Sequence, residues 1–168
     1  MDILELIKSR RSVRKFDPEK AIGEEIINKA IEAACWAPSG MNTQPWAFAV
    51  IKTPGVKEAI SGLTHSSSII KSAPVLIAVF LDNTKTYDRT KDCQAIGACI
   101  QSMLLYIHSV GLGAVWLGEI LRNKDKVAEA INAPAQMELM AVVAMGYPQG
   151  SAGKGKRRDV GESVFYKG

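Results

Sequence analysis

Apolar residues recur at helical spacing near the start of the chain, then give way to short continuous runs. Ile3, Leu6 and Ile7 form a stripe. Asp2 followed by Glu5 has the form of a capping box, so the pattern predicts a first helix ending at about Arg10. Ile27, Ala30, Ile31 and Ala34 repeat the helical period within Glu24 to Ala37. Pro38-Ser39-Gly40 stops that second helix. Trp46 to Ile51 reads as a strand. Thr53-Pro54 has the form of an N-cap with proline at the first helical position, predicting a short helix. Pro74 to Asp82 is nearly all apolar, as suits a strand covered on both faces. Asp92 to Val110 predicts a long helix. Its apolar residues, among them Ile96, Cys99, Ile100, Met103 and Ile107, go most of the way round, which fits a central buried helix or a subunit interface. Gly113 to Leu117 predicts a third strand, Asn123 to Ile131 a helix and Leu139 to Met145 a fourth strand. Gly146 to Gly168 is a Gly- and Lys-rich tail.

Helices and strands alternate with an uneven rhythm. That favours α+β or irregular α/β over a regular doubly wound sheet. No repeat or linker divides the chain, and 168 residues suit a single domain spanning 1–168. A hydrophobic content of 47% with 23% charged residues is that of a soluble globular protein. The longest apolar run, Val75 to Leu81, is too short to span a bilayer. The N-terminus has neither the charge nor the apolar run of a signal peptide. These features predict a cytoplasmic protein without a membrane partner. Cys35, Cys93 and Cys99 lack metal spacing, and their odd number argues against a disulfide framework, so three reduced, small, buried side chains are expected.

Charge changes the picture. Of 21 basic residues, five lie between Lys8 and Lys15 and four between Lys154 and Arg158. Phe16 to Gly153 holds 11 basic and 13 acidic residues, so the net +4 belongs to the two ends. Two distant cationic segments around a near-neutral core point to one compact anion, such as a cofactor phosphate. A long polyanion usually needs a distributed basic stripe. Arg10, Ser12 and Arg14 alternate and would project to one side of an extended segment. Each charge-assisted bond to phosphate is worth roughly 1.5–3 kcal/mol. The same run would also serve as a solvated turn whose cations complement the end of a helix.

Ala37-Pro38-Ser39-Gly40-Met41-Asn42-Thr43-Gln44-Pro45-Trp46 is sharper. It sets two prolines, a glycine and four hydrogen-bonding side chains between a helix end and a strand start, where loops commonly carry binding residues. Its amides match a heterocycle edge bearing donors and acceptors. A capping turn would account for Ser39 and Asn42 but not for Gln44. Competing motifs are weak. Gly111-x-Gly113 follows a helix and opens a strand, the reverse of a dinucleotide fingerprint. His65 and His108 have no i, i+4 partner and read as structural. Met103, Met137, Met140, Met145 and Trp116 read as core.

Four segments carry a resemblance. Arg10-Arg11-Ser12-Val13-Arg14-Lys15-Phe16, Pro38 to Trp46, Gly111-Leu112-Gly113-Ala114-Val115-Trp116-Leu117-Gly118 and the basic tail ending Gly161-Glu162-Ser163-Val164 together resemble the nitroreductase family of FMN-dependent oxidoreductases. The matches fall in the family's order along the chain. The resemblance implies an α+β sandwich with a central, mainly antiparallel sheet flanked by helices. It implies a homodimer with FMN at the interface, NADH or NADPH as donor and a small electron-poor acceptor of nitroaromatic, quinone or enone type, used by a ping-pong mechanism. Arg10 and Ser12 would hold phosphate and ribityl oxygens, with Arg11 beside them, and Arg14 would sit near flavin N1 and O2. Ser39, Asn42 and Gln44, framed by Pro38 and Gly40, would touch the ribityl chain and the ring's polar edge, some across the dimer. The backbone of Leu117, Gly118 and Glu119 would approach N5 and O4, near Trp116. Arg157, with Lys156, would return to the phosphate. No side chain is needed as acid or base and no metal is expected, because the flavin carries the chemistry. Larger members insert helices that cover the pocket. The short stretch Asn83 to Lys91 predicts an open one. The alternative is a basic nucleic-acid-binding module, for which Phe16, Phe165 and Tyr166 are the aromatics beside the clusters. A flavin-binding protein acting through a protein partner is a third reading.

Overall fold

A computed structural model describes residues 2–150 and 152–168. Strands β1 (Trp46–Ile51), β2 (Val75–Asp82), β3 (Gly113–Leu117) and β4 (Met137–Gly146) form one sheet in the order β1-β2-β4-β3. Every pairing is antiparallel. The helices are α1 (Ile3–Ser9), α2 (Glu24–Cys35), α3 (Pro54–Ser61), α4 (Ser67–Ser72), α5 (Arg89–Ser109) and α6 (Lys124–Ala130). The protein is an α+β sandwich.

The alternation of β2 builds both layers. Val75, Ile77, Val79 and Leu81 pack with Ile27 and Ala30 of α2 and Ile96, Cys99, Ile100 and Met103 of α5. Leu76, Ala78 and Phe80 pack on the other face with Ile60 of α3, Ile70 of α4 and Val127 of α6. All eight β2 residues are therefore buried, as the apolar run predicts. Full burial of an Ile or Leu side chain contributes about 1.5–3 kcal/mol. A register shift between Val79 and Phe80 marks a bulge against β4.

The basic N-terminal segment is pinned to the outer edge of β3. Ser12 bridges Ala114 in parallel, and Val13 N donates to Ala114 O at 3.0 Å. On its other side, Gln149 N donates to Lys15 O and Asp17 N to Tyr147 O, both at 2.9 Å. Close approach requires glycine at 113, where an added Cβ would lie 2.7 Å from Val13 Cβ. The segment covers an edge that would otherwise expose unpaired backbone, and the backbone between Arg10 and Lys15 is thereby fixed.

Several boundaries differ from the sequence reading. The second helix stops at Cys35, with Trp36 as its C-cap. The long helix starts at Arg89, a turn before Asp92, because Asp88 caps it by accepting from Lys91 N at 2.9 Å. Asp92 is buried and accepts from Tyr87 N and Asp88 N at 3.1 Å. Helix α4 was not expected, since six residues are too few to show a period. Of the cysteines, Cys99 is buried and its thiol is pushed up to about 12 by desolvation, with Cys35 adding to the rise. Cys93 is half-buried and Cys35 is exposed, so the expectation of three buried thiols fails where α2 ends. Trp116 is 42% exposed and not core, although its four β3 neighbours are buried.

Candidate functional site

Both chain ends contribute cations to one cleft. Arg10 and Arg11, leaving α1, and Arg157 of the tail converge on a hollow of about 540 Å³ that Lys8, Gln101 and Gly155 help to line. None of the three arginines has a carboxylate partner among the described residues, whereas Lys8, Lys29, Lys71 and Lys124 of the helices each have one. Burial, then the charges of Arg157 and Arg11, lower the Arg10 pKa from its ordinary value. Like charges gathered without a counterion are unfavourable until an anion enters. The donor set fits a phosphate, to which guanidinium forks bond in pairs.

Arg11 is partly committed within the chain. Its Nη1 donates to Arg10 O at 2.8 Å and to Lys8 O, carbonyls left free where α1 ends. Its guanidinium also packs on Gly155, where a Cβ would lie 2.6 Å from Arg11 Cζ. The side chain thus clamps the tail to the first helix. Lys156 is exposed and offers its carbonyl to Arg157 Nη1 at 2.8 Å; its side chain does not line the cleft. Ser12 and Arg14 border a separate hollow of about 190 Å³ with Gln149 and Gly150. The alternating trio is therefore divided between two openings.

The loop after α2 is strained. Met41, Asn42 and Gln44 have φ of 54°, 56° and 48°, left-handed values that non-glycine residues adopt mainly at functional or turn positions. Ser39 Oγ holds the loop by accepting from Gln44 N at 3.0 Å, and Asn42 N donates to Ser39 O at 3.1 Å. Met41 and Asn42 are turned outward, and the buried Thr43 hydroxyl has no partner among the described residues. Gly40 lies beneath the Tyr87 ring, with no room for a Cβ. Pro38, Ser39 and Gly40 border a cleft of about 410 Å³ against Lys91, Gln94 and Ala98 of α5. One chain does not unite this loop with the arginine cleft. Both border α5, at Gln94 and Ala98 and at Gln101, which share a helical face at i, i+4 and i+7.

The third segment lies at the end of β3. Leu117 is buried, while Gly118 is exposed and, its chain neighbours aside, no described residue lies within 4 Å of where its Cβ would be. Internal packing therefore does not require glycine there. Glu119 turns its carboxylate away to accept from Thr64 Oγ1 at 2.7 Å and His65 N at 3.2 Å. The Thr64 bond is the main cause holding its pKa below the usual range. The side chain fastens the α3–α4 turn and leaves only its backbone for any ligand. Sequence reasoning missed Gln101, Lys91 and Gln94; Gln101, set among the apolar residues from Ala95 to Ile107, was the available signal. Among the described residues there is no cluster of potential metal ligands, and no helix is long and apolar enough to cross a membrane.

The Nitroreductase family model matches residues 7–67 and 62–147. The chain belongs to the nitroreductase family. A Methanothermobacter thermautotrophicus protein provisionally named NADH dehydrogenase/NAD(P)H nitroreductase is 34% identical over 156 residues, 91% of this chain and 81% of the relative. A Desulfovibrio desulfuricans protein described as a nitroreductase, solved in complex with FMN, superposes with a TM-score of 0.94 at 36% identity, covering 100% of this chain and 98% of its own. A Staphylococcus epidermidis structure described as an NAD(P)H:FMN oxidoreductase gives a TM-score of 0.90 at 18% identity, covering 99% and 96%, and speaks to the fold alone. The α+β sandwich is thus the nitroreductase fold.

Proposed function

We propose that this nitroreductase is an FMN-dependent oxidoreductase passing electrons from NADH or NADPH to a small electron-poor acceptor of nitroaromatic, quinone or enone type. The observation that carries the reading is the convergence of Arg10, Arg11 and Arg157 on one cleft without a carboxylate. A compact cluster drawn from both chain ends suits one phosphate group and not a polynucleotide. When bound, FMN supplies the redox chemistry that no side chain of this chain offers.

The chain's residues bind, orient and tune. Arg10 and Arg157 hold the phosphate, and Arg11 locks the tail so that Arg157 stays in reach. Ser12 meets the ribityl chain. Arg14 places a cation where negative charge would gather. The open surface at Gly118 and the exposed indole of Trp116 accommodate a planar group. Ser39, Asn42 and Gln44 supply polar contacts from a second copy. The homodimer rests on two observations. Helix α1 buries none of its residues and exposes Ile3, Leu4 and Ile7. On α5, Gly97 lies between Gln94 of the loop cleft and Gln101 of the arginine cleft, with open space over it. A twofold axis crossing α5 there would bring the loop of one chain to the arginine cleft of its partner.

Released flavin decides the reading. Denaturing the purified protein and chromatographing the supernatant should give FMN near one per chain. Anaerobic reduction by NADH and NADPH, then reoxidation by nitroaromatics, quinones and enones, should name donor and acceptor. FAD, or no flavin after incubation with excess FMN, would overturn it.

A further inference from the structure

His108 belongs to none of the assigned segments, yet it lines a hollow that shares Arg11 with the arginine cleft. It stands in the last turn of α5, half-buried, with Nε2 at 2.9 Å from Ser9 Oγ at the end of α1. Ser9 Oγ lies 3.2 Å from Leu6 O and has one proton to give. Donated to Leu6 O, that proton leaves the hydroxyl oxygen to accept from Nε2–H. This assignment holds in both the neutral imidazole and the imidazolium, so protonation takes place at Nδ1 without breaking the tie between α1 and α5.

Charged groups reach His108 from one direction. The segment after α1 contributes Arg10 and Arg11, whose positive charges add to burial in holding its pKa below the ordinary histidine value. Pro148, Gly150 and Ala152 of the tail and Gly111 and Leu112 of the following turn line the same hollow, of about 290 Å³, and none of these titrates. No carboxylate among the described residues pairs with the ring; the histidine–acid contact is at His65. Arg11 lines both this hollow and the phosphate cleft.

We propose, on the flavin reading above, that His108 is a positioning residue for the phosphate cleft that couples occupancy by a phosphomonoester to its own protonation. Through Ser9 it anchors the end of α1, from which Arg10 and Arg11 depart. An anion held by those arginines offsets their charge, and the imidazolium becomes easier to form at the C-terminal end of α5, where a cation is favoured. Binding then takes up protons. By linkage, the affinity gains as pH falls through the histidine range. The ligand works against this, since a phosphomonoester loses its second charge near pH 6. The wild type should therefore resist acid loss of FMN that a variant without the imidazole would suffer.

The chain has two histidines, so proton NMR of the imidazole C2 positions reads His108 directly, with His65 as the second signal and His108→Gln to assign them. The holo-protein is compared with the protein stripped of flavin, and with the stripped protein plus riboflavin, which lacks the phosphate. FMN should raise the His108 midpoint by about half a unit or more, and riboflavin should not. In fluorescence titrations at about pH 7.5 and 5.5, the ratio of wild-type to His108→Gln affinity for FMN should grow by roughly three- to tenfold on acidification. Ser9→Ala, which keeps the imidazole but removes its tie, should weaken binding at both pH values while the acid-side gain persists. FMN bound with an unchanged His108 midpoint would overturn this proposal alone. Failure of FMN to bind at any pH would overturn the flavin reading, and this one with it.

Discussion

Arg10 carries the largest share of the phosphate argument. It is partly buried beside Arg11 and Arg157, and no carboxylate among the described residues pairs with it. Arg10→Ala should weaken FMN binding by roughly 1.5–3 kcal/mol, the size of a charge-assisted hydrogen bond. The far-ultraviolet spectrum should not change. A fluorescence titration reads the affinity, and an unchanged value would reduce the cluster to a solvated turn. Arg14 is a different case. It is exposed and borders its own hollow with Gln149 and Gly150. Arg14→Met should lower the midpoint potential of the bound flavin and slow its reduction by nicotinamide, while affinity for the phosphate changes little. If only the affinity for the acceptor suffers, Arg14 lies on the substrate side. The arginines were legible in the sequence because charge clustering survives without coordinates. The commitment of Arg11 to the carbonyls of Lys8 and Arg10 was not, since a basic residue bound to backbone looks the same in sequence as one waiting for an anion. Glu119 hid its role likewise, as Thr64 and His65 are distant in sequence.

At the scale of elements, the position of the basic segment depends on one glycine. Gly113 opens β3, and Val13 lies where its side chain would be. Gly113→Ala should push Val13 away, loosen the Ser12–Ala114 bridge and carry Arg10, Ser12 and Arg14 off the sheet edge. Overpacking of this kind costs about 1–3 kcal/mol, so the fold should survive with a lower melting temperature. FMN affinity should fall further than that loss alone explains. Calorimetry beside a flavin titration tests this; a lowered melting temperature with full FMN affinity would show that the edge contact does not set the site. The strands were legible because β2 is apolar at every position and β1 is bounded by prolines and polar residues. The four-strand order was not, because β4 inserts between β2 and β3 and no local pattern announces long-range pairing. The start of α5 was misread for a local reason. Asp92 looks like a helix-opening acid, and only its burial against the Tyr87 and Asp88 amides reveals that the helix is already under way.

At the scale of the whole molecule, the loop and the arginine cleft lie on one face of α5 but apart. Assembly through that face would unite them, and Phe165 of the tail is fully exposed among the described residues. Gly97→Arg should set a charge at the centre of the proposed contact, yield a monomer by light scattering and abolish FMN binding while helix content persists. A dimer unaffected by that charge would move the interface elsewhere. The same geometry bears on kinetics. Only the short segment between β2 and α5 spans the stretch where larger relatives are expected to insert covering helices, and on the proposed function one opening would serve both nicotinamide and acceptor. Two ligands that share an opening must take turns: the oxidised nicotinamide leaves before the acceptor enters. Initial rates plotted against NAD(P)H at several fixed acceptor concentrations should then give parallel reciprocal lines. At high concentration each substrate should inhibit competitively against the other, because each occupies the form meant for its counterpart. Intersecting lines would require a ternary complex with a separate nicotinamide site, and would overturn the shared opening.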